Sequence, residues 1–113
     1  MATIIKEVSS TIAALNGSST VVDISDADVL SVHITGTYSG TVSLYASNDG
    51  VTYHAYAMHA ITQTTSTTDT ASTSAASTLL TKPCGSLKYF KAVMTAYTSG
   101  SVTVTVVASR YGK

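Results

Sequence analysis

The sequence predicts a single-domain, all-β protein: an antiparallel β-sandwich of jelly-roll-like type with seven to eight strands. Three observations support this fold class. Apolar residues alternate with polar ones through most of the 113-residue chain, which is the period of a strand with one buried face. Turn-forming residues interrupt these runs about every 8–12 positions. No stretch keeps the 3.6-residue period of a helix over about ten positions.

The first strands are predicted in the N-terminal quarter of the chain. An alternating run covers 3–8, a loose stretch of Ser, Ala and Gly follows, and a second run covers 19–24. We therefore expect residues 1–18 to form an N-terminal arm or first strand, and residues 19–113 to form the sandwich domain.

Two clean alternations follow, over 29–35 and 41–47. Aliphatic residues occupy the even positions of both runs, whereas the odd positions from 31 to 47 hold Ser, Thr, His or Tyr. The stretch 36–40, with a glycine at each end, is predicted to connect the two strands. After the second run, 48–50 reads Asn-Asp-Gly. It predicts a tight hairpin, because glycine adopts the positive φ that such a turn requires, with the return strand over 51–58.

The C-terminal third continues the same pattern. A short strand is predicted over 77–81 and a Lys-Pro-Cys-Gly turn over 82–85, where proline is tolerated because it cannot serve a central strand. A long strand over 87–96, a second hairpin turn over 97–100 and a final strand over 101–109 complete the domain. Both predicted hairpins imply antiparallel sheets.

Residues 63–77 differ from the rest of the chain. They are almost entirely Thr, Ser and Ala, with Asp69 as the one acid, and they lack the aliphatic alternation of a core strand. We predict a long surface loop or an edge ribbon here. Loops of this length in compact domains are usually functional or mobile.

The composition favours a low-charge, hydroxyl-rich surface. Hydrophobic residues make up 44% of the chain and charged residues only 11%, with a formal net charge of +0; the usual charged fraction is about 25%. The few cations are scattered, which argues against nucleic acid as the main partner. Surfaces of Ser and Thr can pack against other subunits at little desolvation cost, because no charge has to be buried.

No segment of the sequence predicts export or a membrane span. The chain opens without a basic stretch followed by an apolar one, so we expect no signal peptide. No run approaches the 18 or so apolar residues of a membrane helix. We expect a soluble protein that is made in a cytoplasm and does not contact membrane.

Catalytic motifs are missing from the sequence. There is no Gly-x-Ser-x-Gly elbow, phosphate loop or dinucleotide fingerprint. Glu7 is the one glutamate, so a pair of glutamates for glycoside hydrolysis is not available. Cys84 is the one cysteine; it cannot form an intrachain disulfide and has no base nearby in sequence. We predict that the protein is not an enzyme and has no cofactor.

Metal ligands are also poorly placed. His54 and His59 are five positions apart and would face opposite sides of one strand, so they cannot grip a metal ion together. Asp23, Asp26 and Asp28 share a predicted turn that lacks the glycine and distal glutamate of an EF-hand loop. Capping of backbone amides by Asp side chains explains this turn more simply. We predict no metal site.

Three tyrosines flank the predicted central hairpin. Tyr53 and Tyr56 would face opposite sides of their strand, so at most one of them shares a face with Tyr45. Cross-strand packing explains them, and contact with a protein or a glycan remains the alternative. With the Thr-rich segment, they make up the candidate interface residues Tyr45, Tyr53, Tyr56, Thr65, Thr67, Thr68 and Asp69.

One pair of stretches resembles a known family. Residues 36–53 read GTYSGTVSLYASNDGVTY, and residues 88–106 read KYFKAVMTAYTSGSVTVTV. They are similar to the small β-sandwich domains of tailed-bacteriophage virion proteins. Those domains carry a G-T-x-S-G-T-V strand, an S-x-D-G-x-T-aromatic hairpin and a late aromatic-x-x-V-x-V-T strand before a Ser-Gly turn. The resemblance covers about the last two-thirds of the chain.

The resemblance implies a structural role in a virus particle. Family members occur as capsid decoration (cement) proteins, head fibres and parts of tails or baseplates. A free-standing domain fits a decoration protein best. The resemblance then implies binding to the major capsid protein on the capsid surface of the virion, commonly as a homotrimer. A tail, collar or baseplate component that binds a receptor or glycan is the alternative, and a carbohydrate-binding module from outside phages is a third. The segments 2–19 and 63–77 are the candidate contact arms.

Overall fold

The computed structural model describes residues 2–61, 69–73, 77–84 and 87–111, and these ranges contain strands and turns but no helix. The predicted all-β, antiparallel, sandwich-like fold is confirmed. The strands in the described residues are β1 (Ala2–Ile12), β2 (Val22–Asp23), β3 (Val29–Ser47), β4 (His54–Ala55), β5 (Met58–Ile61), β6 (Asp69–Thr70), β7 (Ser72–Thr73), β8 (Ser77–Pro83) and β9 (Tyr89–Tyr111).

Two long strands, β3 and β9, form the central pair of the sheet. They pair antiparallel along the whole of β3, from Val29 opposite Ser109 to Ser47 opposite Tyr89. The sheet runs in the order β1-β9-β3-β8-β5-β6, with β2 pairing β9 and with β4 and β7 pairing β3. Every pairing between these strands is antiparallel.

A bend divides the sheet into two halves. The first half-sheet contains β1, 101–111 of β9, 29–37 of β3, β8, β5 and β6. The second half-sheet contains 89–97 of β9, 38–47 of β3, β2, β4 and β7. Near the bend, the register of the β3–β9 pair shifts between Ser39 and Gly40 and again between Thr41 and Val42. Such bulges bend a strand and increase its local twist.

The bend brings the aliphatic faces of the two half-sheets together in one hydrophobic core. The two-residue alternation predicted which side chains lie inside, because the even positions of β3 and β9 are the buried ones over most of both strands. Side chains with no exposed surface on these strands are Leu30, Val32, Ile34, Val42, Leu44, Phe90, Ala92, Met94, Val102, Val104 and Ala108.

Two predicted connections are wrong, because the chain continues through them as strand. Residues 36–40 were expected to separate two strands and 97–100 to form a hairpin, but each stretch lies inside a single strand. They pair with each other, with Tyr38 opposite Gly100. Gly100 has a φ of +88°, and a Cβ there would overlap the carbonyl oxygen of Thr37. The glycine therefore serves a bend between two close strands, not a reversal of the chain.

The predicted tight hairpin at Asp49-Gly50 is also wrong in its geometry. The chain does reverse, but the ladder stops at the pair of Ala46 with His54, which leaves an open loop over 47–53. The return strand is reduced to two residues in β4 and resumes only at Met58.

The remaining elements differ from prediction mainly in length. β1 extends to Ile12 and pairs with β9 along its length, with one irregularity between Ile4 and Lys6. β8 continues through Pro83, so the predicted turn begins inside a strand. Gly85 of that turn lies outside the described residues. Within 63–77, the described part contains β6, β7 and the first residue of β8, and the rest of that segment lies outside the described residues.

Candidate functional site

The outer side of the first half-sheet presents mostly hydroxyl groups. The outward side chains of neighbouring strands line up in rows across the sheet, as in Ser9–Thr105–His33–Leu79. We call this surface the hydroxyl face. Its residues are Glu7, Ser9, Thr11, Ser31, His33, Thr35, Leu79, Thr81, Thr103, Thr105 and Val107.

Hydrogen bonds to side chains and to the backbone order several hydroxyls of this face. The hydroxyls of Ser9 and Thr105 lie 2.9 Å apart in a cross-strand hydrogen bond. Thr81 donates its hydroxyl to the carbonyl oxygen of Leu30 at 3.2 Å. Among the described residues, Glu7 is the one charged side chain of this face, opposite Val107 at the β1 edge, so a partner that covers the rest of the face would not have to desolvate a full charge.

The outer side of the second half-sheet carries a different surface. Tyr45 lies directly opposite Lys91 on the neighbouring strand, and the Lys91 ammonium lies 4.2 Å from the ring centroid of Tyr53. These residues line an open groove of about 260 Å³, which we call the tyrosine groove. Its lining residues are Asn16, Tyr45, Tyr53, Lys91, Val93 and Thr95.

A network of hydrogen bonds fixes the loop that carries Tyr53. The buried Ser47 hydroxyl accepts the amides of Asp49 and Gly50, at 3.1 and 2.9 Å, and donates to Asp49 Oδ1 at 2.9 Å. The same Oδ1 accepts the amides of Val51 and Thr52, both at 2.8 Å. These two amide bonds lead the causes that lower the pKa of Asp49. Because side chains take up these amides, the residues after Gly50 do not continue the ladder.

Tyr56 lies away from the tyrosine groove and has a packing role. Its hydroxyl donates to the carbonyl oxygen of Pro83 at 3.1 Å, and its ring meets Phe90 edge-on at 6.4 Å between centroids. The Lys82 ammonium lies 5.3 Å from the Tyr56 ring centroid and donates to the carbonyl oxygen of Ala57 at 2.8 Å. Burial raises the pKa of Tyr56 to about 12. These contacts join the segment before β5 to β8.

The other side of the 47–53 loop borders a wider open groove of about 610 Å³, lined in part by Asn48, Asp49, His54 and Tyr56. Among the described residues that line it, the one carboxylate is Asp49, whose Oδ1 already accepts three hydrogen bonds within the loop. This carboxylate therefore serves to order the loop.

The other predicted site residues are placed as follows. Asp69 begins β6, where its backbone lies opposite His59. Thr65, Thr67 and Thr68 lie outside the described residues. The structure therefore brings Tyr45 and Tyr53 together and separates both from Tyr56.

Sequence reasoning missed Lys91, which completes the tyrosine groove. Its outward position follows from the alternation of β9, whose neighbours Phe90 and Ala92 are buried. Its place beside Tyr45 follows from the β3–β9 register, and a single sequence does not reveal that register.

The turn that holds three aspartates is capped from within the chain. Asp23 Oδ1 accepts hydrogen bonds from the Ser25 hydroxyl at 2.7 Å and the Ser25 amide at 3.0 Å. Both hydrogen bonds lower the pKa of Asp23, and the bond from the Ser25 hydroxyl is the larger cause. Elsewhere Cys84 is buried, and burial raises the pKa of its thiol. Across the described residues, His, Cys, Asp and Glu side chains nowhere gather in a group of three that could hold a metal ion.

No helix within the described ranges is long and apolar enough to cross a membrane.

Comparison with known proteins identifies a shared fold. No protein-family profile and no curated protein sequence matches the chain. Among solved structures, the fold is similar to the crystal structure of the SPBc2 prophage-derived protein YomS, with a TM-score of 0.76 and 18% sequence identity. The alignment covers 92% of this chain and 93% of that chain. At this identity the likeness shows a common fold across the whole domain.

Proposed function

We propose that the protein is a structural component of a bacteriophage particle, a capsid decoration (cement) protein that binds the lattice of the major capsid protein through the hydroxyl face. The observation that carries the proposal is that the described outward side chains of this face are mostly hydroxyls, with Glu7 as the one charged residue among them. Support from outside the chain is the fold that it shares with a prophage-derived protein. In this role the protein binds and does not catalyse, and it lies on the outer surface of the virion.

The size of the hydroxyl face agrees with a contact shared among several surfaces. Four strands spaced about 4.8 Å apart, with about 20 Å of strand each, present roughly 400 Å². A stable protein interface buries about 800 Å² on each partner. The face therefore supplies about half of one standard interface. We propose that the remainder comes from the contact arms or from neighbouring copies in a homotrimer.

The chemistry of the hydroxyl face fits a repeated lattice. Interlocked hydroxyls such as Ser9 and Thr105 are already ordered, so docking costs little side-chain entropy. Each hydroxyl can still donate or accept toward a partner. A surface that binds by shape and hydroxyl contacts also loses little affinity when the salt concentration rises.

Copy number in purified virions tests the particle role. We expect a stained gel of purified virions to show the protein at a fixed ratio to the major capsid protein. The amounts of the two proteins should be comparable, because a decoration protein covers the capsid lattice. A far smaller number of copies would indicate a tail, collar or baseplate component. Absence from virions would overturn the structural role altogether.

A charge placed on the hydroxyl face tests the binding surface. Thr105→Glu sits at the centre of the face, between Ser9 and His33, where burial against a partner would leave the carboxylate desolvated. We expect this variant to fail to bind capsids that lack the protein. Thr98→Glu, at an exposed position on the bend, should bind normally. Equal binding by the two variants would exclude the hydroxyl face as the docking surface.

A further inference from the structure

We propose that the tyrosine groove binds a carboxylate-bearing sugar of an acidic polysaccharide. The groove lies on the second half-sheet, whereas the hydroxyl face lies on the first, so this inference goes beyond the capsid-binding role and stands without it. It rests on the charge, the ring chemistry and the size of the groove.

The charge of the groove favours an anionic ligand. Lys91 is its one cation, and no carboxylate stands among the described residues that line it. The ammonium lies over the Tyr53 ring at 4.2 Å, an arrangement that restrains the lysine without neutralising it. An ammonium has three N–H donors, and a ring face does not use all of them. A ligand carboxylate would complete the set with a charge-assisted hydrogen bond.

The uncharged groups around Lys91 suit a sugar ring. Tyr45 stands beside the lysine, and its aromatic ring can pack against the C–H groups of a pyranose, because the face of the ring is electron-rich. Thr95 and Asn16 line the rim and offer the hydroxyl and amide groups that sugar hydroxyls bind. Thr95 is held by a 2.8 Å hydrogen bond to Ser43.

The size and order of the groove favour a small ligand over a protein. Its volume of about 260 Å³ lies just below the roughly 300–1,000 Å³ of drug-sized ligand sites, whereas a protein partner covers about 800 Å² of surface. The loop that holds Tyr53 is ordered beforehand by the Ser47 and Asp49 hydrogen bonds. A preordered site loses less entropy when it binds a ligand.

Titration with defined sugars tests the proposal. The probe is a tetrasaccharide of alternating glucuronate and N-acetylglucosamine. The neutral comparison is the same tetrasaccharide with each carboxylate reduced to an alcohol. Binding is measured by calorimetry and by amide chemical shifts. We expect the acidic sugar alone to shift the amides around Tyr45, Tyr53 and Lys91, with weaker binding at higher salt.

Variants of the groove complete the experiment. Lys91→Gln should weaken binding by on the order of tenfold or more, the effect of losing a hydrogen bond to a charged group. Tyr53→Ala should also weaken binding, whereas Tyr53→Phe, which keeps the ring under the ammonium, should not. Lys6→Gln, on the first half-sheet, is the matched control. An unchanged melting temperature shows that each variant is folded.

Three results would overturn the proposal. The acidic tetrasaccharide could fail to bind the wild-type protein at millimolar concentration, or it could bind Lys91→Gln as tightly as wild type. A glutamate-rich peptide could also bind the groove at least as tightly as the sugar, which would make the groove a protein-binding site. None of these results affects the copy-number test, so failure here is distinguishable from failure of the capsid-binding role.

Discussion

Gly100 lies where β9 bends from one half-sheet to the other, directly opposite Tyr38 of β3. Its φ is +88°, and a Cβ there would lie 2.7 Å from the Cα of Tyr38 and overlap the Thr37 carbonyl oxygen. Gly50 offers a matched comparison. It too has a positive φ, +76°, but a Cβ there would lie 3.4 Å from the edge of the Tyr89 ring, an ordinary contact. Alanine at the two positions therefore separates backbone conformation from steric conflict.

The structure sets the expected magnitudes. An L-residue in this region of φ costs about 1–2 kcal/mol, and both variants carry that cost. At Gly100 the overlap is relieved only if β9 moves away from β3. Such a movement breaks about two ladder hydrogen bonds at about 1 kcal/mol each. We expect Gly100→Ala to lower the free energy of unfolding by about 3–4 kcal/mol and Gly50→Ala by about 1–2 kcal/mol.

Urea unfolding followed by circular dichroism measures the difference between these glycine variants. A gap of about 2 kcal/mol corresponds to a midpoint roughly 1 M lower for Gly100→Ala, given the usual slopes for small domains. If the two variants unfold within about 0.5 kcal/mol of each other, β3 and β9 are not in close contact at the bend, and the bent-strand architecture is wrong there.

Three further predictions concern hydrogen bonds and pH. Ser19→Ala removes the buried hydroxyl that accepts the Ala92 amide at 2.9 Å and should cost about 1–3 kcal/mol of unfolding free energy, because that amide is left unpaired. Burial raises the pKa of Tyr56 to about 12, so the unfolded chain loses this proton at lower pH than the folded chain; stability should fall as pH rises from about 10 toward 12, and Tyr56→Phe should reduce that fall. Amide hydrogen bonds lower the pKa of Asp49, so the stability it contributes is present at neutral pH and lost as pH falls through the lowered value; Asp49→Asn should flatten that acid-side slope.

Two of these three predictions have a matched control variant. Ser18→Ala, at the exposed neighbouring position, should cost much less than Ser19→Ala in the same urea titration. The pH predictions are read from melting temperatures across a pH series, with Tyr45→Phe as the control for Tyr56→Phe. An alkaline fall that persists unchanged without the Tyr56 hydroxyl, or an acid slope equally steep without the Asp49 carboxylate, would contradict the assigned causes.

The buried side of the sandwich could be predicted because burial depends on a local pattern. Val32 and Val104 lie inside because each strand alternates its side chains between two faces, and only one face can meet the core. The turn of Asp23 was likewise local, since its partner Ser25 is two residues away. No knowledge of the tertiary structure is needed for either inference.

The candidate site was less predictable because it joins distant segments. Tyr45 was identified from the sequence, but the partner that gives it chemistry, Lys91, lies on β9. Tyr56 was a candidate for the same reasons as Tyr53, and only the structure shows that its ring packs against Phe90 at the edge of the core. Residue type made all three tyrosines candidates for the site, but only Tyr45 and Tyr53 lie together in the tyrosine groove.

The sequence by itself determined the class of fold, the identity of the inward faces and the scarcity of surface charge, because these depend on composition and on a period of two residues. Tertiary structure decided the path of the chain. Glycine and hydroxyl residues suit a hairpin turn and a bend within a strand equally well. The sequences around Gly36 and Gly100 therefore do not distinguish a bend from a turn. Which geometry forms depends on whether another strand lies alongside. β3 and β9 lie alongside each other through the bend, and their pairing keeps both chains extended where the sequence suggested that each would turn back.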